Sequence, residues 1–212
     1  MRNRGVALLG LVASACSVVG CVSLRRTPEA RFFVLRSVSE QASLAPEAPV
    51  GLVGVLPVHL PGHLERPQVV TEAGPNELLI DEFARWAEPL GPATSRVLAE
   101  NLAALLTHHR VVGSPWPAAA ALRCRVSVEV ESFAPQTGGE VRLVGRWALL
   151  EPGGPRAIVL REFSLRRGPL PVGPGGMDAT AGAAAMSDLL AELAAQVAAA
   201  VRELPPEPAE AR

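Results

Sequence analysis

The residue with the clearest chemistry in this chain is Cys21. It closes Val18-Val19-Gly20-Cys21 behind an apolar or small run from Gly5 to Val19, which itself follows Arg2 and Arg4. A positive start, a short apolar stretch and a small residue before the thiol make an export signal. The run is about 15 residues, short of the roughly 20 a helix needs to span a bilayer. A cysteine at that place suits the lipoprotein signal peptidase, which cuts once the thiol has been lipidated. The pattern therefore predicts a signal over residues 1–20 and Cys21 as the acylated first residue of the mature chain. Ala13-Ser14-Ala15 before Cys16 offers a rival cut, but Val18 and the longer run favour Cys21. Each buried acyl methylene contributes about 0.8 kcal/mol, so one chain anchors weakly and two or three hold firmly. Val22, not Asp, comes next, which in many Gram-negative bacteria directs a lipoprotein on to the outer membrane.

The other reactive side chains point away from catalysis. His59 and His63 are four apart with Glu65 nearby, a spacing that chelates on a helix, but Pro61 and Gly62 between them oppose one. His108-His109 follows a helical pattern, where the macrodipole favours imidazolium. Cys124 alternates with valines in Leu122-Arg123-Cys124-Arg125-Val126, which reads as a buried strand position. With Cys16 lost and Cys21 acylated, Cys124 has no partner and stability must come from packing. No Gly-x-Ser-x-Gly, phosphate-cradling loop, His-Glu-x-x-His or paired-cysteine motif occurs, so neither enzyme activity, a metal nor a cofactor is expected. All 20 basic side chains are Arg against 21 acids. Removing Arg2 and Arg4 leaves 18 − 21 = −3, with no basic stripe for nucleic acid.

The elements that must carry these residues follow from periodicity. After a polar tether over residues 21–30, strands are expected at 30–38 and 50–58, the latter stopped by Pro57 and Pro61 or lying at an edge. Residues 68–71 and 77–80 form a hairpin around Ala73-Gly74-Pro75-Asn76, and 81–87 a short helical turn or irregular corner. Gly91-Pro92 opens a helix with Val97, Leu98, Leu102, Leu105 and Leu106 on one side. Val111-Val112 begins a short strand. Residues 122–133, 140–150 and 156–166 make an antiparallel meander. Asp178 or Ser187 caps a final helix striped by Met186, Leu189, Leu190, Leu193, Val197, Val201 and Leu204 and stopped by Pro205-Pro206. The expected fold is α+β: one mainly antiparallel sheet with two long amphipathic helices on one face. It forms a single domain over residues 31–204, with a disordered tail at 205–212.

One block, residues 54–90, stands apart from this generic pattern. Leu60, Arg66-Pro67, Phe83, Arg85-Trp86-Ala87 and Pro89-Leu90, followed by Arg96-Val97-Leu98-Ala99-Glu100-Asn101-Leu102, resemble the auxiliary lipoproteins of ABC-type transport systems, the PqiC-like family. The resemblance covers essentially the whole mature chain and is loosest at the Pro/Gly loop 168–176. It implies a non-enzymatic, lipid-anchored accessory on the periplasmic face of the outer membrane of a Gram-negative bacterium. Its implied partners are a mammalian-cell-entry (MCE) domain protein and the associated permease and ABC components of an intermembrane lipid transport system. Such partners form rings, so a homo-oligomer of this chain is compatible with the resemblance.

The candidate partner-binding residues are Arg66, Pro67, Phe83, Arg85, Trp86 and Trp116. Aromatic and arginine side chains are enriched in binding hot spots. Each has a plainer reading beside it. Trp86 and Phe83 serve either an exposed patch or a core pinning the corner. Arg85 meets a partner's acid or pairs with Glu82 or Glu88, and Arg66-Pro67 sets an extended entry to the next strand. Trp116, between two prolines, is the better exposed contact; Trp147, alternating with Leu143 and Leu149, belongs in the core. Two further function classes stay open: an outer-membrane assembly or chaperone lipoprotein, and a carrier holding cargo in a cavity between sheet and helices.

Overall fold

The structure, a computed structural model, describes residues 28–37, 51–117, 121–173 and 176–205. The expected signal over 1–20, Cys21 with the tether up to residue 27, the loop at 39–49 and the tail from 206 lie outside the described residues.

Alternation shapes the main sheet. Along β6 (Leu122–Pro135) Leu122, Cys124, Val126, Val128 and Val130 are buried and the residues between them are not. β7 (Val141–Leu150) and β8 (Ala157–Arg167) continue antiparallel, with Val128 opposite Trp147 and Trp147 opposite Arg161. This is the expected meander, and Cys124 and Trp147 are both core residues. β2 (Gly51–Val55) and β5 (His109–Gly113) complete the order β5-β2-β6-β7-β8, with β2 parallel to both neighbours. β2 ends before Pro57, as its missing amide requires.

A single mainly antiparallel sheet is therefore corrected to a mixed one plus a smaller second sheet. The smaller sheet has the order β1-β4-β3, from β1 (Arg31–Phe33), β3 (Gln68–Gly74) and β4 (Glu77–Trp86). The reason lies in the connections. Between β2 and β5 the chain makes the β3–β4 hairpin and a helix, long enough to re-enter the sheet in the same direction. A two-stranded ribbon, β9 (Val172–Gly173) with β10 (Gly176–Met177), occupies part of the expected 168–176 loop.

Residues 81–87, expected as a turn or corner, form a corner inside a strand. Pairing passes from Gln68 opposite Arg85 to Val69 opposite Asp81, so Glu82, Phe83 and Ala84 bulge out against β3. Asp81 Oδ1 closes the bulge by accepting from the amides of Phe83 (2.9 Å) and Ala84 (3.1 Å).

Two helices, α1 (Leu90–Leu105) and α2 (Ala179–Glu203), pack against each other; α1 also meets β5, and α2 meets β6, β7 and β8. Val97, Leu98 and Leu102 of α1 are buried, as is Leu106 just beyond it, whereas Leu105 turns outward. On α2, Met186, Leu189, Leu190, Leu193, Val197 and Val201 form the buried stripe. By length and apolarity alone α2 passes as a membrane span, but here it is a core helix with that stripe against the sheet. Each such side chain contributes about 1.5–3 kcal/mol on burial. Asp178 is the cap, accepting from Thr180 N at 3.1 Å. Ser187 sits mid-helix, donating to the Ala183 carbonyl (3.0 Å) and accepting from the Arg36 amide (3.2 Å).

Gly145 is the tightest point of the main sheet. It faces Val130 where β6 bulges at Glu131, and a Cβ there would collide with the Glu129 carbonyl oxygen. Gly145→Ala is expected to lower stability by about 3 kcal/mol, the upper end for overpacking. Chemical denaturation checks this; an unchanged midpoint would mean the two strands separate freely.

Candidate docking groove

The end of β4 is where three segments of chain are tied together. The Trp86 amide donates to the Pro67 carbonyl at 2.7 Å, and the Ala87 amide donates to the Phe33 carbonyl at 2.9 Å. β1 thus lies on one side of β4 and the entry to β3 on the other. Proline at position 67 has a carbonyl but no amide, so it accepts this bond without leaving a donor unpaired. Pro89 then stops the strand and, with its fixed φ, starts α1 at Leu90.

This junction leaves a groove of about 560 Å³, walled by Arg66 and Pro67 on one side and residues 87–92 on the other. Trp86 lines it while being only 7% exposed, so it is a core residue whose edge reaches the groove. Glu65, Gly91 and Pro92 also border a second depression that runs along α1 past Ser95 and Arg96. Ser95 fastens this end of α1 to the end of β2: its Oγ accepts from the Val58 amide and donates to the Gly91 carbonyl, both at 2.9 Å.

The charged residues lining the groove are Glu65, Arg66 and Glu88, and two of them are held by side chains outside it. Arg66 Nε donates to Gln68 Oε1 (3.3 Å), Gln68 Nε2 donates to Glu82 Oε2 (3.1 Å), and Glu82 Oε2 lies 3.8 Å from Arg85. Two of the expected arginines are therefore joined through one relay across the β3–β4 pair. Glu88 is held at 2.5 Å by Arg96, which also meets Glu100 at 3.1 Å and the Leu35 carbonyl at 3.3 Å. Glu88 foremost, then Glu100, hold the Arg96 guanidinium more firmly protonated than usual, against a loss from desolvation. These pairs are largely exposed, so they place the side chains more than they stabilise the fold.

Of the six candidate residues, Arg66, Pro67 and Trp86 converge here. Arg85 pairs with Glu82, the local reading, with its Nε also donating to the Glu82 carbonyl at 3.0 Å. Phe83 is exposed and lines a different cleft, beside Leu79 and Met177. Trp116 is half-buried and covers Gly54, where an added Cβ would come within 3.1 Å of the indole ring. The Arg96–Glu88 clamp went unforeseen, because Pro89 separates the partners and no helical spacing links them. The outward Leu78, Leu79 and Ile80 were likewise missed, since their strand pattern reads the same whether covered or not.

The remaining reactive groups are spread apart. His59 pairs through its backbone, donating to the Val128 carbonyl and accepting from the Val130 amide, and His63 sits in the 3-10 turn Gly62–Leu64; among the described residues no three His, Cys, Asp or Glu side chains are grouped to hold a metal. His109 begins β5 and does not extend the helix. Burial, followed by the charges of Arg123, His108 and Arg202, pushes its pKa down, opposite to the helix-end effect expected. Burial pushes the Cys124 thiol up to about 11.

Comparison with known proteins adds three findings. The family described as ABC-type transport auxiliary lipoprotein component matches residues 33–198. A crystal structure of an uncharacterized protein is similar at 20% identity and a TM-score of 0.65, covering 82% of this chain and 99% of that one. A Xanthomonas campestris protein of the DUF330 family is similar at 16% identity and a TM-score of 0.63, covering 81% and 94%. At these identities the two structures speak for the fold. None of the curated proteins matches the sequence.

Two outcomes follow from this geometry. Trp86→Ala is expected to cost about 3–5 kcal/mol in urea unfolding, the range for a buried aromatic, whereas Arg66→Ala stays within about 0.5 kcal/mol of wild type. A stable Trp86→Ala protein would place the indole outside the core. At about pH 8 roughly one Cys124 in a thousand is thiolate, so a thiol reagent should label it only after denaturation; rapid labelling of the native chain would show an open strand.

Proposed function

The chain belongs to the ABC-type transport auxiliary lipoprotein family, and from that premise we propose that it is a non-enzymatic accessory docking on an MCE-domain protein in the periplasm. Cys21 is the residue proposed to carry the acyl chains, and the outer membrane the place that Val22 after it suggests. The docking site proposed is the groove between Arg66-Pro67 and the start of α1.

The observation that carries this reading is convergence. Arg66, Pro67 and Trp86 come from separate parts of the family-like block and meet at one depression lined by apolar and charged residues. That composition suits a protein interface, where apolar area is joined by charged and polar groups. Pro67, Pro89 and Pro92 also stiffen the walls, which lowers the ordering cost of binding.

Crosslinked purification of the tagged chain from native membranes tests the proposal. An MCE-domain protein should be recovered with wild type and lost about tenfold with Arg66→Glu, corresponding to about 1.4 kcal/mol. Trp116→Ala, outside the groove lining, should leave recovery unchanged. Recovery of outer-membrane assembly components alone would replace the transport role with the assembly or chaperone one. Cys21→Ala should release a folded domain from the membrane; retention would remove Cys21 as the anchor.

A further inference from the structure

The half of β4 remote from the groove has an unusual surface. Leu78, Leu79 and Ile80 are successive strand residues, so they point alternately to both faces of the hairpin, yet all are exposed, Leu79 by 49%. Phe83, in the bulge, is exposed as well. A strand that covers a core on one side carries polar residues on the other; here β4 itself carries three large apolar residues in a row, and the nearest acid across the pair, Glu72, is turned to Ser132 and Gln136. Their partners across the pair are Glu72, Thr71 and Val70 of β3. On its other edge β4 is paired by β1 only at residues 84–86, so the edge at Leu78–Ile80 is open among the described residues. Leu79, Ile80 and Phe83 also line a cleft of about 440 Å³ with Val69, Pro135 and Met177.

The chain itself says what lies beside this rim. β1 runs parallel to β4 with Arg31 opposite Ala84, so the residues before Arg31 arrive next to Phe83. Arg31 is fixed there by a 2.7 Å bond to Thr180 Oγ1 and an ion pair of 3.8 Å to Asp178, at the start of α2. Cys21 is seven residues before Pro28, the first described residue. Fully extended, seven residues reach at most about 25 Å. Because β1 is parallel to β4, the chain from Cys21 approaches from the hairpin side, and an acyl anchor there keeps that side within a short tether of the bilayer.

We propose that the β3–β4 hairpin is a second, non-covalent membrane contact, whose apolar rim of Leu78, Leu79, Ile80 and Phe83 seats in the lipid surface that the acyl chains of Cys21 enter. This rests on the reading of Cys21 as the lipidated residue. The β3 side is tied to residues 132–137, so only the open β4 edge is free among the described residues, and a lipid interface meets the residues on both sides of that edge at once, whereas a flat protein partner covers one. Glu77, Asp81 and Glu82 lie among the apolar residues. The contact is therefore with an electrically neutral lipid surface and shallow, at the headgroup and acyl boundary, in the manner of interfacial elements. It turns the groove at the other end of β4 away from the membrane, toward the periplasm.

The test uses the full lipidated chain reconstituted in phosphatidylcholine vesicles, with an environment-sensitive fluorophore on Leu79→Cys or, for comparison, on Leu160→Cys. Both positions are exposed and apolar, at 49% and 61%, but Leu160 is on β8 of the other sheet. Cys124 is buried and does not compete for the label. The expected result is a blue shift and loss of emission to a lipid-borne quencher for the label at 79, with the label at 160 unchanged. Circular dichroism matching wild type establishes that each variant is folded. Vesicle flotation with a solvent-like label at 79, or a shift at 160 instead, overturns the hairpin contact and leaves the anchor standing. Failure of the lipidated chain to float at all overturns the anchor and the contact together. A shift at 79 that grows with protein concentration in the unlipidated Cys21→Ser background, without vesicles, would assign the rim to a second copy of the chain and overturn the lipid assignment.

Discussion

The hydrogen bond from the Trp86 amide to the Pro67 carbonyl, at 2.7 Å, is the constraint on which the rest of this domain depends. It sets where β3 begins relative to the end of β4, and the next amide, Ala87, fixes β1 to the same point. Three residues later the chain is helical, so the bond also sets where α1 starts. Trp86 can hold this junction because its ring is buried with Phe33, Leu64 and Leu90 in the common core, while its backbone serves the small sheet. The groove is what remains when a strand, a proline-led entry and a helix start are pinned together without filling the space between them.

The junction also gives the domain two ends. Along β4, the bulge held by Asp81 separates an inner half, paired on both sides and buried, from an outer half with an open edge and an apolar surface. The chain from Cys21 arrives at the level of the bulge. The proposed tether on the hairpin side and the proposed docking groove at the end of β4 would together suit a protein that bridges a membrane surface and a larger assembly.

Much of this was legible in the residues. The meander and both helices follow from period-two and period-three-to-four patterns, because each has a covered face, and the hairpin follows from its turn residues, Gly74, Pro75 and Asn76; Cys124 and Trp147 could be placed in the core by alternation alone. The parallel pairing of β2 was not legible. Its five residues are consistent with either direction, and only the length of the excursion through β3, β4 and α1 decides it. At the site, Arg66, Pro67 and Trp86 were found by family-like pattern, and their convergence depends on a bulge that periodicity does not encode. The Arg96–Glu88 clamp spans a proline and was invisible for the same reason. Phe83 and Trp116 were grouped with the others by residue type, yet neither lines the groove, since type alone carries no direction.

The most direct measurement of the central claim, that the groove is where the family's transport partner docks, is site-specific photocrosslinking in intact native membranes. A photoreactive residue at position 66, on the groove wall, should capture an MCE-domain protein, while one at position 160, on β8, should not. Capture from position 160 with none from position 66, or capture of no transport component from either, would contradict the account.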